Sequence, residues 1–131
     1  MNEKNTKYLL DNFPSFFNPK EPLMNPPIQT GFDCGDGWFE IIKELCEELG
    51  KLNMPNFQVV QVKEKLGSLR FYVVGAPRGL SRKVDELIKE TETKSEQTCE
   101  VCGKPGTSKQ PSKIKWLSSV LCDNCLTRDK Y

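Results

Sequence analysis

The chain has 131 residues, 37% of them hydrophobic and 28% charged, with a formal net charge of +1. That suits one globular domain with a modest core, or one domain with a small appendage, and it falls short of the basic excess by which proteins hold nucleic acid through counterion release. It has no histidine, which excludes histidine acid/base catalysis, a Ser-His-Asp triad and any Cys/His metal site.

Residues 1–30 are punctuated by Pro14, Pro19, Pro22, Pro26 and Pro27. Proline at this density forbids a long helix and leaves room for a short one around Lys7 to Asn12. Leu9, Leu10, Phe13, Phe16, Phe17, Leu23 and Ile28 are too many apolar residues for a solvated linker. The segment is expected to lie docked across the rest of the chain. Met1 to Lys7 is polar and precedes no signal-type apolar segment, and no stretch approaches the ~20 apolar residues that span a bilayer. A cytoplasmic, membrane-free protein is expected.

The glycine-rich turn Cys34-Gly-Asp-Gly-Trp38 comes next, with Asp36 or Asp33 placed to cap the following helix. Trp38, Ile41, Ile42, Leu45, Cys46 and Leu49 recur at spacings of three and four and form one apolar stripe of that helix. Two runs of strand composition, 59–62 and 69–74, flank Gly67-Ser68. A two-residue turn with glycine first predicts a hairpin in which Leu66 faces Leu69, Lys65 faces Arg70 and Lys63 faces Tyr72. Alternation puts Val60, Val62, Leu66, Leu69, Phe71 and Val73 on the face toward the helix, with Glu64 the exception. Lys63, Lys65, Arg70 and Tyr72 share the other face. Ser81 is placed to cap a further helix running to about Glu96, with Val84, Leu87, Ile88 and Thr91 inward.

The last 35 residues, 97–131, read as a metal module. Cys99-Glu-Val-Cys102 and Cys122-Asp-Asn-Cys125 are two C-x2-C pairs with 19 residues between them, the pattern of four-cysteine zinc sites. Each turn places two thiolates on one ion, and two turns complete a tetrahedron. Gly103 suits a knuckle turn, and Ile114 to Leu117 a strand between the knuckles. In a reducing compartment this reading outweighs two disulfides or four unrelated thiols. Four protein ligands leave no open position, so one structural Zn²⁺ is expected. The module's lysines, arginine and acids leave +3, which four thiolates on a divalent ion reduce to +1. That does not mark it as a nucleic-acid reader.

Two features could hold a ligand. The basic hairpin face can bind phosphate oxygens and stack a ring on Tyr72. The turn with Asp36 and Trp38 enters a helix N-terminus, which favours anions. Side by side, they would frame a pocket for a phosphorylated molecule from Asp36, Trp38, Lys63, Lys65, Arg70 and Tyr72. The bland alternatives are a solvated sheet face and a first core tryptophan. Catalysis has little support: Asp33 and Asp36 are equally explained as caps, Cys46 lies on the apolar stripe, and Cys34, whose pKa a helix N-terminus could lower, has no base.

Three ordered strings carry a resemblance: Gly31-Phe-Asp-Cys-Gly-Asp-Gly-Trp38, Val62-Lys-Glu-Lys-Leu-Gly-Ser-Leu-Arg-Phe-Tyr72, and Cys99-Glu-Val-Cys-Gly-Lys-Pro-Gly106 followed by Leu121-Cys-Asp-Asn-Cys125. From about Leu9 to Cys125 the chain resembles a family of small phage and prophage accessory proteins. Members commonly have glycine where this chain has Ser68, so its turn can differ. The resemblance implies a phage-encoded protein in a host bacterial cytoplasm; by analogy, such proteins counter host defence by binding a signalling nucleotide or a host macromolecule.

The expectation is therefore an α+β chain: a proline-rich lead-in (1–30), a core of an amphipathic helix on a small antiparallel hairpin sheet (31–96), and a zinc knuckle module like a treble clef (97–131). Its expected function is non-enzymatic binding of a phosphorylated small molecule or a host protein, with self-association open. A zinc-module nucleic-acid-binding or transcription accessory is the alternative.

Overall fold

The computed structural model describes residues 1–20, 23, 32–109 and 119–127, with the backbone alone at 108, 109 and 127. The expected strand at 114–117, most of the lead-in after Lys20 and the last four residues lie outside the described residues.

The lead-in forms two helices, α1 (Glu3–Asn12) and α2 (Pro14–Phe17). Asn2 caps α1 by accepting from the Asn5 amide at 2.8 Å, and Pro14 opens α2, where a missing N–H does no harm. Leu9, Phe16 and Phe17 are buried, and Phe16 and Phe17 meet Phe57 and Phe32 edge to face at ring separations of 5.2 Å. Residues 1–20 of the lead-in thus pack on the core, Leu23 is exposed, and α1 starts four residues earlier than Lys7.

A 3₁₀ turn, Asp36–Trp38, runs into α3 (Phe39–Gly50). Of the stripe read from the sequence, Trp38, Ile42, Leu45, Cys46 and Leu49 are at most 2% exposed, and Ile41 is half-buried at its edge. Among the described residues no side chain caps α3, so neither Asp33 nor Asp36 has the capping role expected of it.

β1 (Gln58–Lys65) and β2 (Ser68–Val74) pair antiparallel in a register that differs from the expected one. Lys65 faces Ser68, Lys63 faces Arg70, Val62 faces Phe71 and Gln61 faces Tyr72. The turn residues are Leu66 and Gly67, with φ of 55° and 78°. Two positive φ values make a type I′ turn with glycine second, in place of the expected glycine-first turn. The Glu64 carboxylate holds this turn by accepting from the Gly67 amide at 2.8 Å. Moving the turn by one residue changes each cross-strand partner from Gln61 to Lys65 by two, so Lys63, Lys65, Arg70 and Tyr72 still share a face. Leu66 does not stay with the apolar set: at the tip it is 75% exposed. An irregularity between Val59 and Gln61 turns Val59 inward instead of Val60.

α4 (Ser81–Ser95) starts at Ser81 itself, with Leu80 in the cap position. It packs against α3 and covers the free edge of β2. There Leu69 N–H donates to Ser95 Oγ at 2.9 Å, and Phe71 N–H to Glu92 Oε2 at 3.3 Å. The free edge of β1 is closed by Asp33, which donates to Val62 O and accepts from Glu64 N–H at 3.0 and 2.9 Å. Both sheet edges are thus covered against edge pairing. One core joins α1–α4 and the hairpin, with Val59, Val62, Leu69, Phe71, Val84 and Ile88 buried against the α3 stripe.

β3 (Thr107–Lys109) and β4 (Ser119–Leu121) form a second antiparallel pair, followed by α5 (Asp123–Thr127). The whole is the expected α+β arrangement, with four cysteines gathered near the C-terminus. No helix among the described residues is long and apolar enough to cross a membrane.

Candidate metal centre and the hairpin face

The first knuckle is built by backbone. Cys99 N–H donates to Lys104 O at 2.7 Å, and Gly103 N–H returns to Cys99 O at 2.9 Å, with Gly103 at φ +83°. A positive φ here suits glycine alone among common residues. Glu100 N–H donates to Val120 O at 2.8 Å, stitching this knuckle to β4. The second knuckle leaves β4 at Leu121 and enters α5, where Leu126 N–H donates to Cys122 O at 3.0 Å.

These turns bring the sulfurs of Cys99, Cys102, Cys122 and Cys125 within 4.8 Å of one another. Cys102 Sγ and Cys122 Sγ are 3.6 Å apart. A tetrahedron of Zn–S bonds of about 2.3 Å has edges of about 3.8 Å, so the spacing fits a shared ion. At two of the four sulfurs the electrostatics point the same way, while burial, with the neighbouring cysteines adding, pushes Cys125 up to about 12. Burial acts to raise the Cys99 thiol, but the amides of Cys102, Cys122 and Val101 aimed at its sulfur bring it down to about 6. The Cys125 amide lowers Cys122 in the same manner. Amides directed at sulfur favour thiolate, the form that binds metal. Cys99 and Cys125 are buried, Cys122 is half-buried and Cys102 is exposed. The four cysteines could together hold a metal ion.

The glycine-rich turn packs against this knuckle. Gly37 N–H donates to Glu100 O at 2.7 Å, and Gly35 N–H to Glu100 Oε2 at 2.9 Å. The Trp38 indole N–H donates to Thr98 O at 2.9 Å. A Cβ on Gly37 would stand 2.0 Å from Cys99 O, and one on Gly35 would stand 2.3 Å from Glu100 O. The glycines are therefore there for close approach of two backbones. Burial pushes the Glu100 carboxyl up to about 7, with the Gly35 amide opposing and the charge of Glu64 adding to the rise.

Asp36 and Trp38 consequently sit elsewhere than in a ligand pocket. Trp38 is fully buried. Asp36 Oδ1 accepts from the Asn2 amide at 2.7 Å and from Asn5 Nδ2 at 3.2 Å, tying α1 to the turn. The Met1 ammonium donates to Cys34 O alongside. The turn does begin beside the hairpin, through the Asp33–Lys63 bridge, but the Gly35 and Gly37 amides and the Trp38 indole are spent on the knuckle. The structure brings Lys63, Lys65, Arg70 and Tyr72 together without Asp36 and Trp38. Lys63 faces Arg70 across the strands, and its Nζ lies 6.0 Å from the Tyr72 ring centre.

Cys34 shows the reverse of the expected activation. Burial, with Glu100 adding, pushes its thiol up to about 12. Burial raises Cys46 as well. Neither resembles a nucleophile. What sequence reasoning missed is the role of Glu100 and Thr98, which receive the turn. The one local signal was two glycines flanking a single aspartate before a tryptophan, a pattern that permits close backbone contact. No family model matches the chain, and no curated protein or solved structure is significantly similar to it.

Proposed function

We propose that this is a non-enzymatic binding protein in which one structural zinc fixes the C-terminal knuckles against the core, and the basic hairpin face meets a partner. Zinc is the divalent ion best suited to four thiolates at tetrahedral spacing, and a site filled by four protein ligands leaves no position for substrate. The observation that carries the reading is the commitment of Gly35, Gly37 and Trp38 to Glu100 and Thr98. It removes half of the pocket a phosphorylated small molecule would need. The remaining parts, Lys63, Lys65, Arg70 and Tyr72, lie on a hairpin whose Tyr72 is 42% exposed. Such a face suits a macromolecular surface better than an enclosed nucleotide. In the phage setting that the resemblance implies, the partner is a host protein and the outcome is interference with a host process.

Native mass spectrometry of the protein purified from producing cells tests this. Zinc-loaded chain, carrying a protein partner that Lys63→Glu and Arg70→Glu release, is expected. A co-purified nucleotide lost in the Lys63→Ala, Arg70→Ala variant would replace the reading with nucleotide sequestration.

A further inference from the structure

We propose that the hairpin tip is a docking knob for a partner protein: the Leu66 side chain fills an aliphatic pocket, and Lys65, Lys63 and Arg70 meet carboxylates on that pocket's rim. The inference rests on the hairpin being the binding face and names the chemistry of what it binds.

Leu66 is the most exposed large hydrophobic residue of the described chain, at 75%. It also occupies a position at φ 55° that leucine adopts reluctantly and asparagine adopts readily. An exposed apolar side chain on a conformation that disfavours it gains nothing from folding. Strain of this kind, held by its surroundings, clusters at binding and switch sites. The surroundings hold it firmly. Glu64 binds the Gly67 amide, Gly67 and Ser68 are buried, and Lys65 pairs with Ser68. The tip is a fixed projection, so little ordering is needed when it docks.

The charge around the knob selects the partner. Lys65 is exposed next to Leu66, and the facing pair Lys63 and Arg70 lies behind it. A leucine with one cation beside it and two more behind it on the same hairpin face calls for an aliphatic hole with an acidic rim. A lipid surface is disfavoured, because one leucine buries far less than a single acyl chain, which itself binds membranes only marginally. Nucleic acid is disfavoured by a net charge of +1, which leaves little counterion release to draw on. A second copy is disfavoured as well. The groove of about 560 Å³ between α3 and α4 has Leu45 and Leu87 in its lining, but three lysines interleave with its four glutamates, and Lys51 already pairs with Glu48.

The test places a photoreactive benzophenone amino acid at position 66, and at exposed Asp85 as control, in the full-length protein inside producing cells. The expected result is one protein cross-linked from position 66 only, at a residue in an aliphatic pocket with Asp or Glu on its rim. Calorimetry with that purified protein should then show Leu66→Asn binding at least about tenfold more weakly and Leu66→Met within about threefold. Leu66→Asn should leave the thermal midpoint unchanged or higher, since asparagine accepts the turn. If Lys63→Glu and Arg70→Glu abolish binding while Leu66→Asn does not, the knob is overturned and the hairpin face stands. If none of the three matters, both fall. Equal labelling from positions 66 and 85, no labelling from 66, or cross-links only to nucleic acid, lipid or another copy also overturn the proposal.

Discussion

Gly37 shows how a single atom joins two parts of the fold. Its missing Cβ lets the turn approach Cys99 O, which would lie 2.0 Å from that atom. Backbone on both sides cannot move aside as a side-chain end can. Gly37→Ala should therefore destabilise the protein by about 2–3 kcal/mol, read as a lower urea midpoint at unchanged slope. An unchanged midpoint would show that the knuckle does not press on the turn. The cysteines divide by environment in the same way. With a strong zinc chelator the knuckles lose the ion that closes them, so Cys99, Cys102, Cys122 and Cys125 should react with a disulfide reagent first, although Cys99 and Cys125 are buried in the closed site, and Cys34 and Cys46, held in the main core, should react later. Cys34 also predicts a pH dependence. Its thiol pKa rises from the ordinary 9.0 to about 12 on folding, so the folded chain holds that proton more tightly than the unfolded one. The stability this contributes is intact below pH 9 and is lost as pH climbs toward 12. Urea midpoints at pH 8 and 10 should fall more in the wild type than in Cys34→Ala.

Among the elements, α3 and α4 were legible because apolar spacing of three and four is a local property that packing only had to accept. The hairpin was legible as a hairpin, but its turn was not. Gly67 can serve either first or second in a two-residue turn, and the choice depends on Glu64 reaching back to the Gly67 amide. That contact, together with burial of Ser68, outweighs the strain at Leu66. Parity preserved the basic face despite the error, so Lys63, Lys65, Arg70 and Tyr72 were placed together for a sound reason. Glu64→Ala should then lower stability by about 1 kcal/mol, the usual worth of such a bond, in chemical denaturation. A neutral result would mean that the strand pairs alone set the register. Asp36 and Trp38 went astray because their partners lie far along the chain: Thr98 is 60 residues beyond Trp38. No local pattern announces a contact at that range.

At the scale of the molecule, the C-terminal module is no loose appendage. Val120 of β4 belongs to the main core, while Cys99, Leu121 and Cys125 make a small cluster of their own. Three hydrogen bonds run from the glycine-rich turn to Thr98 and Glu100. Structural zinc sites contribute roughly 10–16 kcal/mol of apparent binding energy, as much as the roughly 5–15 kcal/mol that stabilises a whole domain. Removing the metal should therefore be felt at Trp38. In a Trp116→Phe variant, where Trp38 is the remaining tryptophan, chelation should shift its emission to longer wavelength as Thr98 withdraws. Unshifted emission would mean that the core and the knuckles fold independently. The cysteine cluster itself was the most legible feature of all, because ligand spacing within each knuckle is fixed by the turn and needs no distant partner. All of this depends on how many metal ions the four sulfurs hold. Native mass spectrometry of the full-length protein, purified from producing cells without reductant, reads that number directly: the expected mass is the chain plus one zinc less the two protons a divalent ion displaces. The bare chain mass, or one reduced by the hydrogens lost in cystines, would contradict it.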